Sequence, residues 1–124
     1  MNGVEITEAW IMEVRRQGQR DRAVPMEAYM RHQFPFLGLP KAARQEQQSV
    51  LWEKLKEFAP NSSDQVQKMI DLLCNQDFRE FQYTAMELAW KFRRQWSGDW
   101  PEYVYRRIQS KSWWDTVDWW APKG

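Results

Sequence analysis

The segment K-S-W-W-D-T-V-D-W-W, residues 111–120, places four tryptophans and two aspartates within eight residues. Ser112 and Asp115 have the spacing of a capping box, which predicts that a helix begins here and gives Asp115 a structural role. On that helix, Trp114 and Asp118 stand four residues apart and share a face. A carboxylate can stabilise an oxocarbenium-like sugar and an indole attracts a cationic base, so this pair suits cleavage of an N-glycosidic bond. A half-buried tryptophan beside an ion-paired acid is the alternative.

Positive charge is concentrated at the same end of the chain. The net charge of +1 divides into −2 for residues 1–90 and +3 for residues 91–124. Basic side chains near the tryptophans suit the phosphates of a nucleic acid, whereas solvated helix faces are the plainer interpretation. The candidate phosphate-binding residues are Arg93, Arg94, Arg106, Arg107 and Lys111.

The elements that position these residues are predicted to be helices. Apolar residues recur at helical spacing, and no stretch alternates as a strand would. Pro25 is expected in the first turn of the second helix, and Ser62 or Ser63 is expected to cap the fourth. The predicted helices lie near 5–18, 25–35, 41–58, 64–75, 77–96 and 100–110, and a seventh begins near 113.

Short links between the helices predict an all-α fold of antiparallel helical hairpins stacked in sequence, either a bundle or an α-solenoid of HEAT type.

The predicted helix 77–96 shows the apolar repeat most clearly. The apolar stripe of this helix comprises Phe78, Phe81, Ala85, Leu88, Ala89 and Phe92, and the charged residues Arg79, Glu80, Glu87, Lys91 and Arg94 mostly lie off it.

Composition excludes several classes of protein. No apolar run approaches the length of a membrane span, and the N-terminus lacks the pattern of a signal peptide. The single cysteine, Cys74, allows no internal disulfide, cannot build a metal site and is expected to be buried. These features fit a reducing, cytoplasmic setting.

From about Pro25 onward the chain resembles the N-terminal half of the AlkD-type alkylpurine DNA glycosylases, which are HEAT-like repeat proteins of the DNA alkylation repair family. The resemblance rests on P-M-E-A-Y-M-R-H-Q-F-P-F-L-G-L-P (25–40), D-F-R-E-F-Q-Y-T-A-M-E-L (77–88) and K-S-W-W-D-T-V-D (111–118). It implies that residues 1–124 form one truncated, HEAT-like helical domain.

The resemblance also implies an activity and a site. It implies excision of N3- and N7-alkylated purines from double-stranded DNA without a metal, a cofactor or a deep base-flipping pocket. By position it implies that Asp118 is the catalytic residue and that Trp114 and Tyr29 face the DNA.

Members of the family are nearly twice as long, and their later repeats complete the groove. We therefore expect a C-terminal half or self-association to supply the missing wall, and whether this chain is itself active stays open. Two non-catalytic alternatives are a HEAT-like DNA-binding module and a protein-interaction scaffold that docks through its terminal tryptophans.

Overall fold

The computed structural model describes residues 2–57 and 62–95, together with Tyr103 and Arg106. Within these residues the chain forms five α-helices and no β-strand, which confirms the predicted all-α fold. Stacking as HEAT-like repeats stays a prediction, and the helix expected from residue 113 lies outside the described residues. The helices are α1 (Gly3–Arg15), α2 (Arg20–Tyr29), α3 (Lys41–Glu57), α4 (Ser63–Cys74) and α5 (Arg79–Lys91), and a 3-10 turn follows at Arg93–Gln95.

Side-chain caps fix where two of the helices begin. The Asn2 side chain accepts a hydrogen bond from the Glu5 amide at 2.9 Å, and the Glu5 carboxylate accepts one from the Asn2 amide. This reciprocal capping box satisfies two donors that the helix itself leaves unpaired. At α4, the Ser62 hydroxyl accepts from the Gln65 amide at 3.3 Å, which confirms one of the two predicted caps.

The main core lies where α1 packs against α3 and α4, and where α4 packs against α5. Trp10 of α1 ties these helices together. Its indole nitrogen donates to the Gln47 carbonyl of α3 at 2.8 Å, and its ring meets Phe81 of α5 edge-on. Cys74 is buried, as predicted. The predicted stripe on α5 is also confirmed, with Phe81, Ala85, Leu88 and Ala89 buried and Phe78 and Phe92 half-buried.

The predicted bounds of the second helix, 25–35, are wrong. The helix α2 begins at Arg20 and ends at Tyr29, so Pro25 lies inside it rather than in its first turn. Beyond Tyr29 the chain turns sharply, because Arg31 and His32 adopt left-handed backbone conformations with φ of 53° and 59°. The His32 amide donates to the Glu27 carbonyl at 2.8 Å, a bond that closes the end of the helix.

Arg79 and Glu80, expected to lie mostly off the apolar stripe of α5, are nevertheless both buried. The segment that joins α2 to α3 covers the start of α5. There the Arg79 guanidinium lies 3.7 Å from the centre of the Phe34 ring, and the Arg79 amide donates to the Pro35 carbonyl. Burial of both charges is therefore a consequence of a contact between segments distant in sequence.

Candidate functional site

Four of the eight predicted site residues fall within the described part of the chain. Tyr29, Arg93, Arg94 and Arg106 are all exposed, and the exposed fraction of Tyr29 is 71%. Most of the surface of Tyr29 is therefore in contact with solvent. Trp114, Asp118, Arg107 and Lys111 lie outside the described residues, so their roles stay predictions.

A cleft of about 400 Å³ opens beside Tyr29, and we call it the Tyr29 cleft. It is bounded by α2, by the segment that leads into α3, and by Tyr83 of α5. Its walls are mostly apolar, and the charged side chains among them are basic. The lining residues are Pro25, Met26, Tyr29, Met30, Phe36, Leu39, Lys41, Arg44 and Tyr83.

The floor of the Tyr29 cleft is held by the buried carboxylate of Glu80. One oxygen of Glu80 accepts from the Leu37 amide at 2.9 Å, and the other accepts from the amides of Gly38 and Leu39 at 2.9 and 3.0 Å. Hydrogen bonds to an ionised acceptor are stronger than neutral ones. The carboxylate thus fixes three consecutive residues of the segment that contributes Phe36 and Leu39 to the cleft.

A second carboxylate holds the same segment from α2. The Glu27 carboxylate accepts a hydrogen bond from the Phe36 amide at 2.8 Å. It also forms a bidentate ion pair with the Arg20 guanidinium, with hydrogen bonds of 2.7 and 2.8 Å. The bonds from Arg20, and then the one from Phe36, lower the pKa of the Glu27 carboxyl below its usual value. The same pairing raises the pKa of Arg20. The cleft is therefore built before any ligand arrives, since its backbone donors are already satisfied.

A second cleft, of about 520 Å³, lies between α3 and α5, and we call it the Trp90 cleft. Two cations contact its indoles. The Lys91 ammonium is 5.4 Å from the Trp52 ring centre, and the Arg93 guanidinium is 4.5 Å from that of Trp90. Stacked aromatic and basic groups are typical of surfaces that bind nucleic acid. Its lining residues are Gln45, Gln48, Ser49, Trp52, Glu87, Trp90 and Lys91.

A polar network connects residues of the two clefts, and we call the two neighbouring clefts together the groove. The Arg44 guanidinium donates to Gln48 at 2.6 Å and to Glu87 at 2.9 Å, and the Gln48 amide also donates to Glu87. Thr84 donates to the Gln48 oxygen at 2.7 Å. Because Arg44 lines the Tyr29 cleft whereas Gln48 and Glu87 line the Trp90 cleft, the two clefts adjoin.

Some of the predicted site residues lie along the groove and others do not. Tyr29 lies at one end, and Arg93 lies against Trp90 at the other. Arg106 lies elsewhere, because its guanidinium is 5.5 Å from the ring centre of Tyr103, whose hydroxyl donates to Asp71 on α4. Sequence reasoning did not propose the other groove residues Lys41, Arg44, Trp52, Glu87, Trp90 and Lys91 as a site, since helical spacing alone does not show which helix lies opposite.

Two classes of site find no support in the described residues. None of them form a cluster of three or more histidine, cysteine, aspartate or glutamate side chains that could hold a metal ion. None of the helices in this part of the chain is long and apolar enough to cross a bilayer.

Comparison with known proteins places this chain in a family. A family model described as DNA alkylation repair enzyme matches residues 11–124. The fold is similar to a solved structure described as a predicted DNA alkylation repair enzyme from Enterococcus faecalis, with a TM-score of 0.70 and 30% sequence identity. The similarity covers 83% of this chain and 47% of that one, so this chain spans about half the length of that relative. A search of curated proteins finds no significant match. This chain belongs to the DNA alkylation repair enzyme family, because the family model matches most of the length of the chain.

Proposed function

We propose that this chain acts in DNA repair by excising N3- and N7-alkylated purines from duplex DNA through hydrolysis of the N-glycosidic bond. The observation that carries the proposal is the family match over residues 11–124, which includes both the exposed Tyr29 and the W-W-D-T-V-D segment. The described groove supports it, because it presents aromatic rings and cations along one face. Such a face suits a polyanion with aromatic bases.

The proposed chemistry assigns a task to each residue of the predicted pair. Alkylation at N3 or N7 makes a purine cationic, and loss of that base leaves positive charge on the sugar. The Asp118 carboxylate would stabilise the sugar cation and position the attacking water. The Trp114 indole would attract the cationic base through its ring face. These two roles rest on the resemblance and on helical spacing.

The groove would hold the DNA around that reaction. Lys41, Lys91 and Arg93 are exposed cations along it, and each can contact a phosphate. Arg44 is less available, because Glu87 and Gln48 already accept from its guanidinium. Double-stranded DNA with alkylated purines is thus the proposed partner of this face. Arg106, beside α4, would contact DNA only through a separate surface.

Release of 7-methylguanine from methylated duplex DNA tests the proposal. We expect Asp118→Asn to reduce the rate of release by about 100-fold or more, as for loss of one transition-state-stabilising group, while duplex binding persists. Asp115→Asn is the matched control. It lies in the same segment, and the asparagine amide oxygen can still accept the hydrogen bond from the Ser112 amide in the predicted capping box, so release should persist.

The outcomes separate the alternatives. No release by the unaltered chain at high protein concentration would reject glycosylase activity, and salt-sensitive duplex binding in that case would identify a non-catalytic DNA-binding module. Release that is unchanged in Asp118→Asn would reject the role of Asp118. A concentration-dependent dimer without DNA affinity would favour the interaction scaffold.

A further inference from the structure

Two tryptophans of the Trp90 cleft each hold a cation against their rings. The Lys91 ammonium, at the end of α5, lies 5.4 Å from the ring centre of Trp52 on α3, and the Arg93 guanidinium lies 4.5 Å from that of Trp90. Both distances are within the roughly 6 Å over which a ring face attracts a cation. The contact between Trp52 and Lys91 joins two helices, so tertiary packing sets the position of this ammonium.

The charge of these two cations is not used within the described part of the fold. There, neither Lys91 nor Arg93 forms an ion pair, and both are exposed. Glu87 also lines the cleft, but its carboxylate is already matched, because it accepts from Arg44 at 2.9 Å and from the Gln48 amide. In this part of the chain the two cations therefore favour an anionic ligand.

Contact with an indole prepares a cation to bind. A long basic side chain loses rotamer freedom when a ligand immobilises it, and this loss weakens binding. A side chain that already lies against a ring has lost part of that freedom in the folded chain. Arg93 is restrained further, because its guanidinium also donates to the Trp90 carbonyl at 3.0 Å, and its other N–H groups can still donate to a ligand.

We propose that Trp52 and Trp90 are positioning residues, which hold Lys91 and Arg93 in place to bind phosphates of the DNA backbone at the Trp90 cleft. This inference rests on the proposed function for the duplex itself. The repeated phosphates of a duplex match two cations fixed at one cleft, and a backbone contact needs no displaced base. The contact is the same for damaged and undamaged DNA, because the backbone carries the same charge in both.

Binding of the full chain to a short undamaged duplex at several salt concentrations tests the role of the cations. Lys91→Ala and Arg93→Ala should each weaken binding about threefold to tenfold, and each should reduce the slope of log binding constant against log salt by about 0.9. Lys68→Ala is the matched control, since Lys68 is an exposed lysine of α4 that lines neither cleft. It should leave the affinity and the slope unchanged.

A double-mutant cycle tests the role of the indole. Trp52→Leu should weaken binding about fivefold when Lys91 is present, but by less than about twofold in the Lys91→Ala background. A merely structural effect of Trp52 would be equal in both backgrounds. Trp52→Phe, which keeps a ring face for the ammonium, should retain most of the affinity. Urea unfolding of each variant checks that it is folded under the conditions of the binding assay.

Trp90 and Arg93 provide a second cycle with less effect on the fold, because 41% of Trp90 is exposed whereas Trp52 is half-buried. Equal weakening with and without the cation would overturn the positioning role of the tryptophan that the cycle tests. An unchanged salt slope in Lys91→Ala and Arg93→Ala would overturn the phosphate contacts and leave duplex binding intact. Absence of duplex binding by the unaltered chain would instead contradict the proposed function, on which the inference depends.

Discussion

Replacement of Glu80 by glutamine probes how the floor of the Tyr29 cleft is held. Glu80 is 2% exposed, and its two oxygens accept from three backbone amides. Glutamine has nearly the same shape but only one acceptor oxygen. If that oxygen accepts from Gly38 and Leu39, the new NH₂ group faces the Leu37 amide, and a buried donor loses its partner.

The magnitude follows from these three bonds. An unsatisfied buried donor costs about 1–3 kcal/mol, and each remaining bond loses about 1 kcal/mol when its acceptor is no longer charged. We therefore expect Glu80→Gln to lower the free energy of unfolding by about 3–5 kcal/mol. Small domains are stable by only about 5–15 kcal/mol, so the loss should be large in any unfolding experiment.

Urea unfolding followed by far-ultraviolet circular dichroism measures the change. Glu53→Gln is the matched control, because Glu53 pairs with Lys56 on the exposed surface of α3 at 2.9 Å. Such pairs contribute less than about 1 kcal/mol. If Glu80→Gln lowers stability by no more than Glu53→Gln does, the carboxylate does not hold the segment as argued, and the preformed cleft loses its physical basis.

Two further changes probe the same region. At Gly38 the backbone has a φ of +95°, and an added Cβ would overlap the Gln19 carbonyl oxygen, so Gly38→Ala should lower the free energy of unfolding by about 3 kcal/mol or more. Gly3→Ala is the control, because its Cβ would meet only the flexible Met69 side chain, at 3.0 Å, and it should lower the free energy of unfolding by less than about 1 kcal/mol in the same urea experiment. Similar losses at both glycines would contradict the close approach of Gly38 to the Gln19 carbonyl. Folding lowers the pKa of Glu27 below its usual value of 4.5. The Glu27 carboxylate therefore stabilises the fold fully at pH values above 4.5, and this stabilisation is lost as the pH falls through the folded-state pKa. The stability gap between the unaltered chain and Glu27→Gln should thus shrink below pH 4.5 in urea titrations at stepped pH, and a gap that does not change with pH would refute this.

Much of the helical framework could be predicted from local pattern. The apolar repeat on α5 and the serine cap of α4 depend on neighbours within one or two turns, so sequence spacing reports them directly. The second helix was misplaced because Pro25 is typical of a first turn, whereas here it lies exposed inside the helix. Left-handed conformations at Arg31 and His32 carry only a weak signal, since arginine is not typical of that region and histidine, although enriched there, adopts it in a small minority of cases.

The candidate site, too, could be predicted from the sequence only in part. Tyr29 could be proposed because the segment around it resembles a family, and the family match supports that resemblance. The roles of Trp114 and Asp118 stay predictions. The groove itself could not be foreseen, because Arg44 meets Glu87 across 43 residues of sequence. No local spacing reports a contact of that kind.

The sequence by itself determined the all-helical class, the positions of most of the described helices, one helix cap, the buried stripe and the family of this protein. Each of these depends on the order of residues along the chain. The tertiary structure decided that Glu80 is a buried anchor rather than a solvated charge, and that Tyr29, Arg44, Trp90 and Arg93 lie along one groove. The physical reason is that charge burial and groove shape depend on which segments pack together in space, and the chain brings those segments together only when it folds.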